Sequence, residues 1–259
     1  MSGKTETVPW HRRRVRRDAP GHLYELGVTL SRSGDHPAAE RAFLRAIEAY
    51  GASVRDLRTV GGTARASWRL LLVRDAMGHA EQAVADGRRA TLLWEEAMEL
   101  TGADELAITR DLARCYTDLG QAELHAGRTT EALEYSQRAV TLAEVLEADG
   151  HPQGSTELGT ARHNVTVVLL AMGRLAGAAT VAERTVALRT RLSGASTAIT
   201  VADWELADSL LLSAEIQQRL RNDATATRML DDATGLAVRL GLAGATLLAR
   251  IADLRAPTP

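Results

Sequence analysis

Apolar residues along this chain recur at i, i+3 and i+4, the spacing that places them on one face of an α-helix. Leu23, Leu26, Gly27 and Leu30 form one such set, and Ala39, Ala42, Phe43, Ala46, Ile47 and Tyr50 form the next. Between them lies Ser33-Gly34-Asp35-His36-Pro37, with a glycine suited to end one helix and a proline suited to the first turn of another. The pattern predicts a helical hairpin. It returns around Met77-Gly78-His79, Ala126-Gly127-Arg128 and Met172-Gly173-Arg174, and in degenerate form at Leu220-Arg221-Asn222-Asp223. Successive turns lie about 44–49 residues apart, room for two helices plus connections, and a fixed period of this size marks a repeat architecture.

Other offsets repeat with the turns. Five residues after each comes an alanine: Ala39, Ala83, Ala132, Ala178 and Ala226. Twelve after come Ala46, Ala90, Ala139, Thr185 and Ala233, and seven before come Gly27, Leu71, Gly120, Thr166 and Ala214. Helix axes approach to about 8–10 Å only where contact positions are small. Leu26, Leu70, Leu119 and Val165 are then expected to fill the space between. Gly51-Ala52-Ser53, Thr101-Gly102-Ala103-Asp104, Asp149-Gly150-His151-Pro152 and Ser193-Gly194-Ala195-Ser196 punctuate the hairpins. The reading is all-α: about five stacked hairpins over 19–255, closed by a capping helix carrying Leu247, Leu248, Ile251 and Leu254. Residues 1–18 read as a basic flexible arm and 256–259 as a frayed tail.

Composition narrows the picture without redirecting it. The 259 residues are 45% hydrophobic and 25% charged, with 3% aromatics, so the core must be built from Leu, Val and Ala. A formal net charge of -2 offers no global attraction to nucleic acid or anionic membrane. Cys115 is the only cysteine, which excludes an intrachain disulfide and fits a reducing cytosol. The start of the sequence shows no apolar signal segment, and no apolar run is long enough to span a bilayer. The expectation is a cytoplasmic protein. Lys4 is the only lysine beside many arginines, a bias that points to a GC-rich bacterial genome more than to a function.

Leu26-Gly27, Gly34, Ala39, Phe43 and Ala46 resemble a tetratricopeptide repeat, as do Leu119-Gly120, Gly127, Ala132 and Ala139. The long unit is similar to the repeats of kinesin light chains and of bacterial regulatory proteins. The resemblance extends over roughly residues 20 to 240. It implies a right-handed superhelix with a concave groove lined by the first helix of each hairpin. The ligand-facing residues it implies are Tyr24, Val28, Arg65, Trp68, Leu72, Arg114, Thr117, Gln121, His125, His163 and Val167. The lysine and asparagine pattern with which family members grip a chaperone C-terminus is not matched, since the first groove helix offers Gly21, Tyr24, Glu25 and Val28.

The remaining candidates are weaker. Arg12, Arg13, Arg14, Arg16 and Arg17 could contact phosphates or an acidic partner, but nothing beside them supports base reading, so nucleic acid is disfavoured. Ser2-Gly3-Lys4-Thr5 lacks the upstream glycine and strand of a phosphate loop. The histidines show no metal-ligand spacing. A Cys115–His163 nucleophile lacks an orienting group, and Glu95-Glu96 and Asp231-Asp232 point different ways on their helices. No cofactor is expected. The function expected is a non-catalytic scaffold that holds a protein or peptide, with a regulator acting through a partner as the alternative and a biosynthetic accessory or enzyme behind it. An uncovered end of the stack leaves room for a homo-oligomer.

Overall fold

The computed structural model describes residues 19–101, 105–194 and 201–256. The basic arm, the tail beyond Ala256 and the segment Ala195-Ser196 lie outside them. Among the described residues there are eleven α-helices, one short 3-10 turn and no strand. The helices are α1 (Pro20–Arg32), α2 (His36–Gly51), α3 (Leu57–Ala76), α4 (Ala80–Thr101), α5 (Glu105–His125), α6 (Thr129–Ala148), α7 (Gly154–Ala171), α8 (Leu175–Gly194), α9 (Val201–Arg219), α10 (Asp223–Arg239) and α11 (Ala245–Arg255). No described helix is long and apolar enough to cross a membrane. The chain, read from sequence as one array over 19–255, divides at Ala126–Gly127 into two compact units.

The turns form as the sequence spacing predicts. Gly34, Gly78, Gly127 and Gly173 take φ of 84°, 77°, 77° and 71°, the left-handed region that a glycine enters without penalty. Arg221 takes the same conformation at φ 64°, so the degenerate fifth turn keeps the geometry without the residue. The N–H groups of Asp35, His79, Arg174 and Asn222 each donate to the carbonyl five residues back, closing the helix end in a Schellman motif. Helix starts are fixed locally as well. The Asp35 side chain accepts from Ala38 N at 3.1 Å, and Asp56 and Thr59 form a reciprocal capping box on α3.

In unit 1, α1 and α2 pair, α3 packs on α2 and α4, and α5 packs on α4. The recurring alanines lie at these contacts, with Ala39, Ala46, Ala83 and Ala90 fully buried. Phe43 is buried over Gly27, where an added Cβ would stand 2.6 Å from the ring. Leu70 and Leu119 are buried as expected, but Leu26 is 49% exposed. No described helix packs on that side of α1, so the position that is interior in later hairpins is bare in the first.

In unit 2, α6 pairs with α7, α8 packs on α7 and α9, and α10 packs on α9. Leu169, Leu170, Ala178, Ala182, Leu212 and Ile216 form one core. Leu210, Leu211, Leu230 and Ala233 form the next, and α11 closes it with buried Leu247 and Ile251. That is the capping helix expected from the sequence, with Leu248 at its solvent edge. The α6–α7 crossing is tighter than side chains allow: a Cβ on Gly154 would meet Glu147 N at 2.6 Å and its Cα at 2.7 Å.

Those distances separate two glycines. Gly154→Ala forces backbone against backbone and is expected to cost about 1–3 kcal/mol. Gly235→Ala, in α10 with nothing within 4 Å of the new methyl, is expected to add about 0.5–1 kcal/mol of helix propensity. Thermal denaturation of both variants checks the opposite signs.

Candidate functional site

The first helices of the unit 1 hairpins, α1, α3 and α5, carry most of the residues that the resemblance assigns to a ligand-facing wall. Apolar packing consumes one side of each helix. What remains is a polar and aromatic face. Tyr24 is partly buried, its ring 5.9 Å from Phe43, and its hydroxyl lies 3.5 Å from Arg69 Nε. Val28 is partly buried against the same apolar cluster. Arg65 is half exposed, 3.9 Å from Asp111, and lies over the Trp94 ring at 5.8 Å. Leu72 is partly buried, and Arg114 and Gln121 are exposed. His125 is exposed, with Nδ1 2.8 Å from Asp75 Oδ1.

Two of the expected contact residues of unit 1 are placed differently. Trp68 is 4% exposed, because α5 packs over it and supplies a hydrogen-bond acceptor: its Nε1 donates to Asp118 Oδ2 at 2.7 Å. Thr117 is buried, and its hydroxyl donates to Ala113 O within its own helix. Neither presents a free polar group at the surface. Over the Trp68 ring lie Arg69 and Arg114, with guanidinium carbons 5.2 and 5.4 Å from its centroid. Asp118 is partly buried, and burial lifts its carboxyl to about 6 against the opposing pull of the Trp68 hydrogen bond and of Arg114 and Arg69. Sequence reading did not single out Asp118 or Arg69. The spacing of Arg114 and Asp118, four apart on one helix, was the available signal for the first.

His163 and Val167 belong to unit 2. His163 sits in a polar cluster contributed by α7, α8, α9 and α11. Its Nε2 is 3.3 Å from Asp208 Oδ2, and Asp208 Oδ1 accepts from Arg250. Its Nδ1 is 3.3 Å from Ser209 Oγ and 3.4 Å from Arg189 Nη1. Arg189, only 4% exposed, donates from Nη1 to Ser209 Oγ at 2.6 Å and to the Glu205 carbonyl at 2.8 Å. An arginine facing Nδ1 makes that nitrogen the acceptor, so the proton resides on Nε2 and points at Asp208. Burial chiefly lowers His163 to about 4, with Asp208 opposing.

Serine, histidine and aspartate thus stand in contact, but Ser209 is 3% exposed and its oxygen already accepts from Arg189, so no substrate reaches it. Cys115 is buried and desolvation pushes its thiol well up, which leaves it a poor nucleophile. Among the described residues no group of three His, Cys, Asp or Glu side chains is placed to hold a metal ion. An open cavity of about 780 Å³ lies at the starts of α1 and α3, lined by His22, Glu25, Tyr50 and Arg58, away from the Trp68 cluster. Arg12 to Arg17 lie outside the described residues.

The two buried titrating groups pull stability in opposite directions with pH. The raised carboxyl of Asp118 means that the fold holds its proton more tightly than the unfolded chain, so this contribution is present in acid and lost as pH rises through about 6. The lowered imidazole of His163 contributes stability above its ordinary value of 6.5 that is lost as pH falls toward about 4. Asp118→Asn is therefore expected to raise the melting temperature at neutral pH relative to wild type more than in acid. His163→Gln is expected to flatten the acid fall between pH 6.5 and 4. Melting temperatures across that range, read as differences from wild type, check both.

Residues 112–153 and 158–197 each match the model of the tetratricopeptide repeat family. No curated protein sequence matches the chain. Solved structures share the fold at low identity. A kinesin light chain-like protein from Podosopora anserina, with nearly identical TPR-like repeats, is 17% identical, with 88% of this chain and 97% of that chain covered at a TM-score of 0.61. Aspartyl phosphate phosphatase F from Bacillus subtilis is 13% identical, with 98% and 62% covered and a TM-score of 0.71. The Rap conjugation gene regulator of plasmid pLS20, solved in complex with the Phr* peptide, is 11% identical, with 93% and 59% covered and a TM-score of 0.60. The chain carries tetratricopeptide repeats at 112–153 and 158–197, and its helix pairs outside those ranges share the same fold.

Proposed function

We propose that this protein is a non-catalytic interaction scaffold that holds a peptide or a partner helix on the α1–α3–α5 face of unit 1. One observation carries the reading. The first helices α3 and α5 present Arg65, Arg114, Gln121 and His125 toward solvent, and on α1 Tyr24 packs partly on the apolar core with its hydroxyl near Arg69. Such a row combines an aromatic, two arginines and adaptable polar groups, the residue types that dominate binding energy at interfaces. The helices are fixed by their own turns and caps, so binding would order the ligand and not the scaffold. The likeness to a gene regulator solved with a peptide supports the same reading, and it favours regulation through a captured partner as the second one. Reaction chemistry is disfavoured, since in the serine–histidine–aspartate contact seen among the described residues Ser209 is buried and its oxygen is taken by Arg189.

Selection of a random-peptide display library on the intact protein tests this. Enriched peptides are expected to bind wild type at least tenfold better than the double variant Arg65→Glu, Arg114→Glu, given typical costs of about 1–2 kcal/mol for losing an interface arginine. Helical circular dichroism should be unchanged, because both side chains are at the surface. Equal affinity for the variant would move the binding face elsewhere.

A further inference from the structure

Asp118 is bonded to a tryptophan whose ring carries two cations. The indole of Trp68, itself buried, holds the carboxyl by a 2.7 Å hydrogen bond, and the guanidinium groups of Arg69 and Arg114 cover the same ring at 5.2 and 5.4 Å. The groups whose charge acts on the carboxyl are Arg69 and Asp75 from α3 and Arg114 from its own helix. Asp75 is bonded in turn by His125. From α4, the nearby charged side chains are engaged on other sides of α5, Glu95 by Tyr116 and Arg88 by Glu123. Burial and the Trp68 hydrogen bond act most on this carboxyl; among the charges around it Arg114 comes first and Arg69 second, both on the side where an anionic ligand would meet them.

We infer that Asp118 is a resident counter-anion: an acidic peptide places its carboxylates on Arg69 and Arg114, and Asp118 takes up a proton from solvent as their charge is claimed. The inference rests on the reading of this face as the one that holds a peptide. Its physical basis is that like charges brought to shared cations cannot all stay ionised. Asp118 is the group that yields, because burial already brings it to about 6, whereas a solvated peptide aspartate titrates near 4. Its tie to Trp68 survives the change, since a protonated carboxyl still offers an oxygen that accepts from the indole N–H. Binding is thereby linked to one proton and strengthens as pH falls.

Fluorescence anisotropy of a labelled oligo-aspartate peptide, between about pH 5.5 and pH 8, tests the link on the intact protein. Wild-type affinity is expected to fall as pH rises through about 6, by no more than about tenfold per unit, with a net uptake of up to one proton per peptide in calorimetry across buffers of different ionisation enthalpy. Asp118→Asn should bind at the acid-limit affinity throughout, with a flat profile. Both proteins are also compared with His125→Gln added, which removes the imidazole beside Asp75. Should Asp118→Asn fail to fold, Trp68→Phe serves instead: losing the hydrogen bond that favours the carboxylate moves the profile to higher pH, and an unmoved profile overturns the inference. Parallel slopes for wild type and Asp118→Asn overturn the proton link and leave the peptide-holding face standing. No binding by wild type at any pH overturns the acidic ligand itself, and the proton link with it.

Discussion

The architecture depends on how closely two helices can approach, and that distance is set by side chains that are missing. Phe43 occupies the space that a Cβ on Gly27 would need, Leu71 and Leu119 occupy that of Gly87, and the backbone of Glu147 occupies that of Gly154. With only 3% aromatics the chain has few large groups to fill wide gaps, so it closes the gaps instead. The fully buried alanines at fixed offsets are the result. A hairpin built this way buries little apolar area on its own and gains most of its stability from the hairpins against it. α11 meets that need at its end of unit 2, and the exposure of Leu26 shows what an uncovered hairpin face looks like.

What the sequence showed most clearly was whatever is local. Helical periodicity and the glycine turns each depend on a few neighbours in the chain, and among the described residues both appear where the spacing puts them. The caps shift: α3 is capped by Asp56, beyond Gly51-Ala52-Ser53, and Gln153 ahead of α7 makes no side-chain cap. Arg221 is instructive, because the turn persists where the glycine is gone: the period carried the prediction, and the hydrogen bonds of the helix end hold a non-glycine residue at φ 64°. The capping helix was legible for the same reason, as an apolar stripe of Leu247, Leu248, Ile251 and Leu254 at helical spacing.

The site was less legible because its decisive contacts are not local. An aromatic on the first helix of a hairpin reads equally as a surface anchor or as core, and Trp68 became core through an acceptor fifty residues away on α5. Arg189 is harder still. A charged residue near a helix end is ordinarily solvated, and nothing near it in sequence announces the Ser209 oxygen and Glu205 carbonyl that receive it. His163 was singled out for a ligand-facing role, yet Arg189, Ser209 and Asp208 occupy its two nitrogens. Pairing across helices, which sequence period does not specify, decided each of these.

Buried polar groups are costly in a fold with so thin a core, and the two clusters meet that cost differently. Around His163 every partner is fixed: the imidazole is held neutral between an arginine and a carboxylate, and a charge there would have to break several hydrogen bonds at once. Rigidity is what such a cluster supplies. Around Asp118 the main restraint is a single indole donor, which favours the carboxylate but can still be accepted by the protonated form. The charge can therefore change without the geometry changing. A carboxyl that serves only to anchor a tryptophan could be replaced by an amide with no loss of that bond and some gain in stability at neutral pH. Retaining an acid there, bonded to the tryptophan whose ring carries Arg69 and Arg114, makes sense where the site must give up its negative charge when another anion arrives.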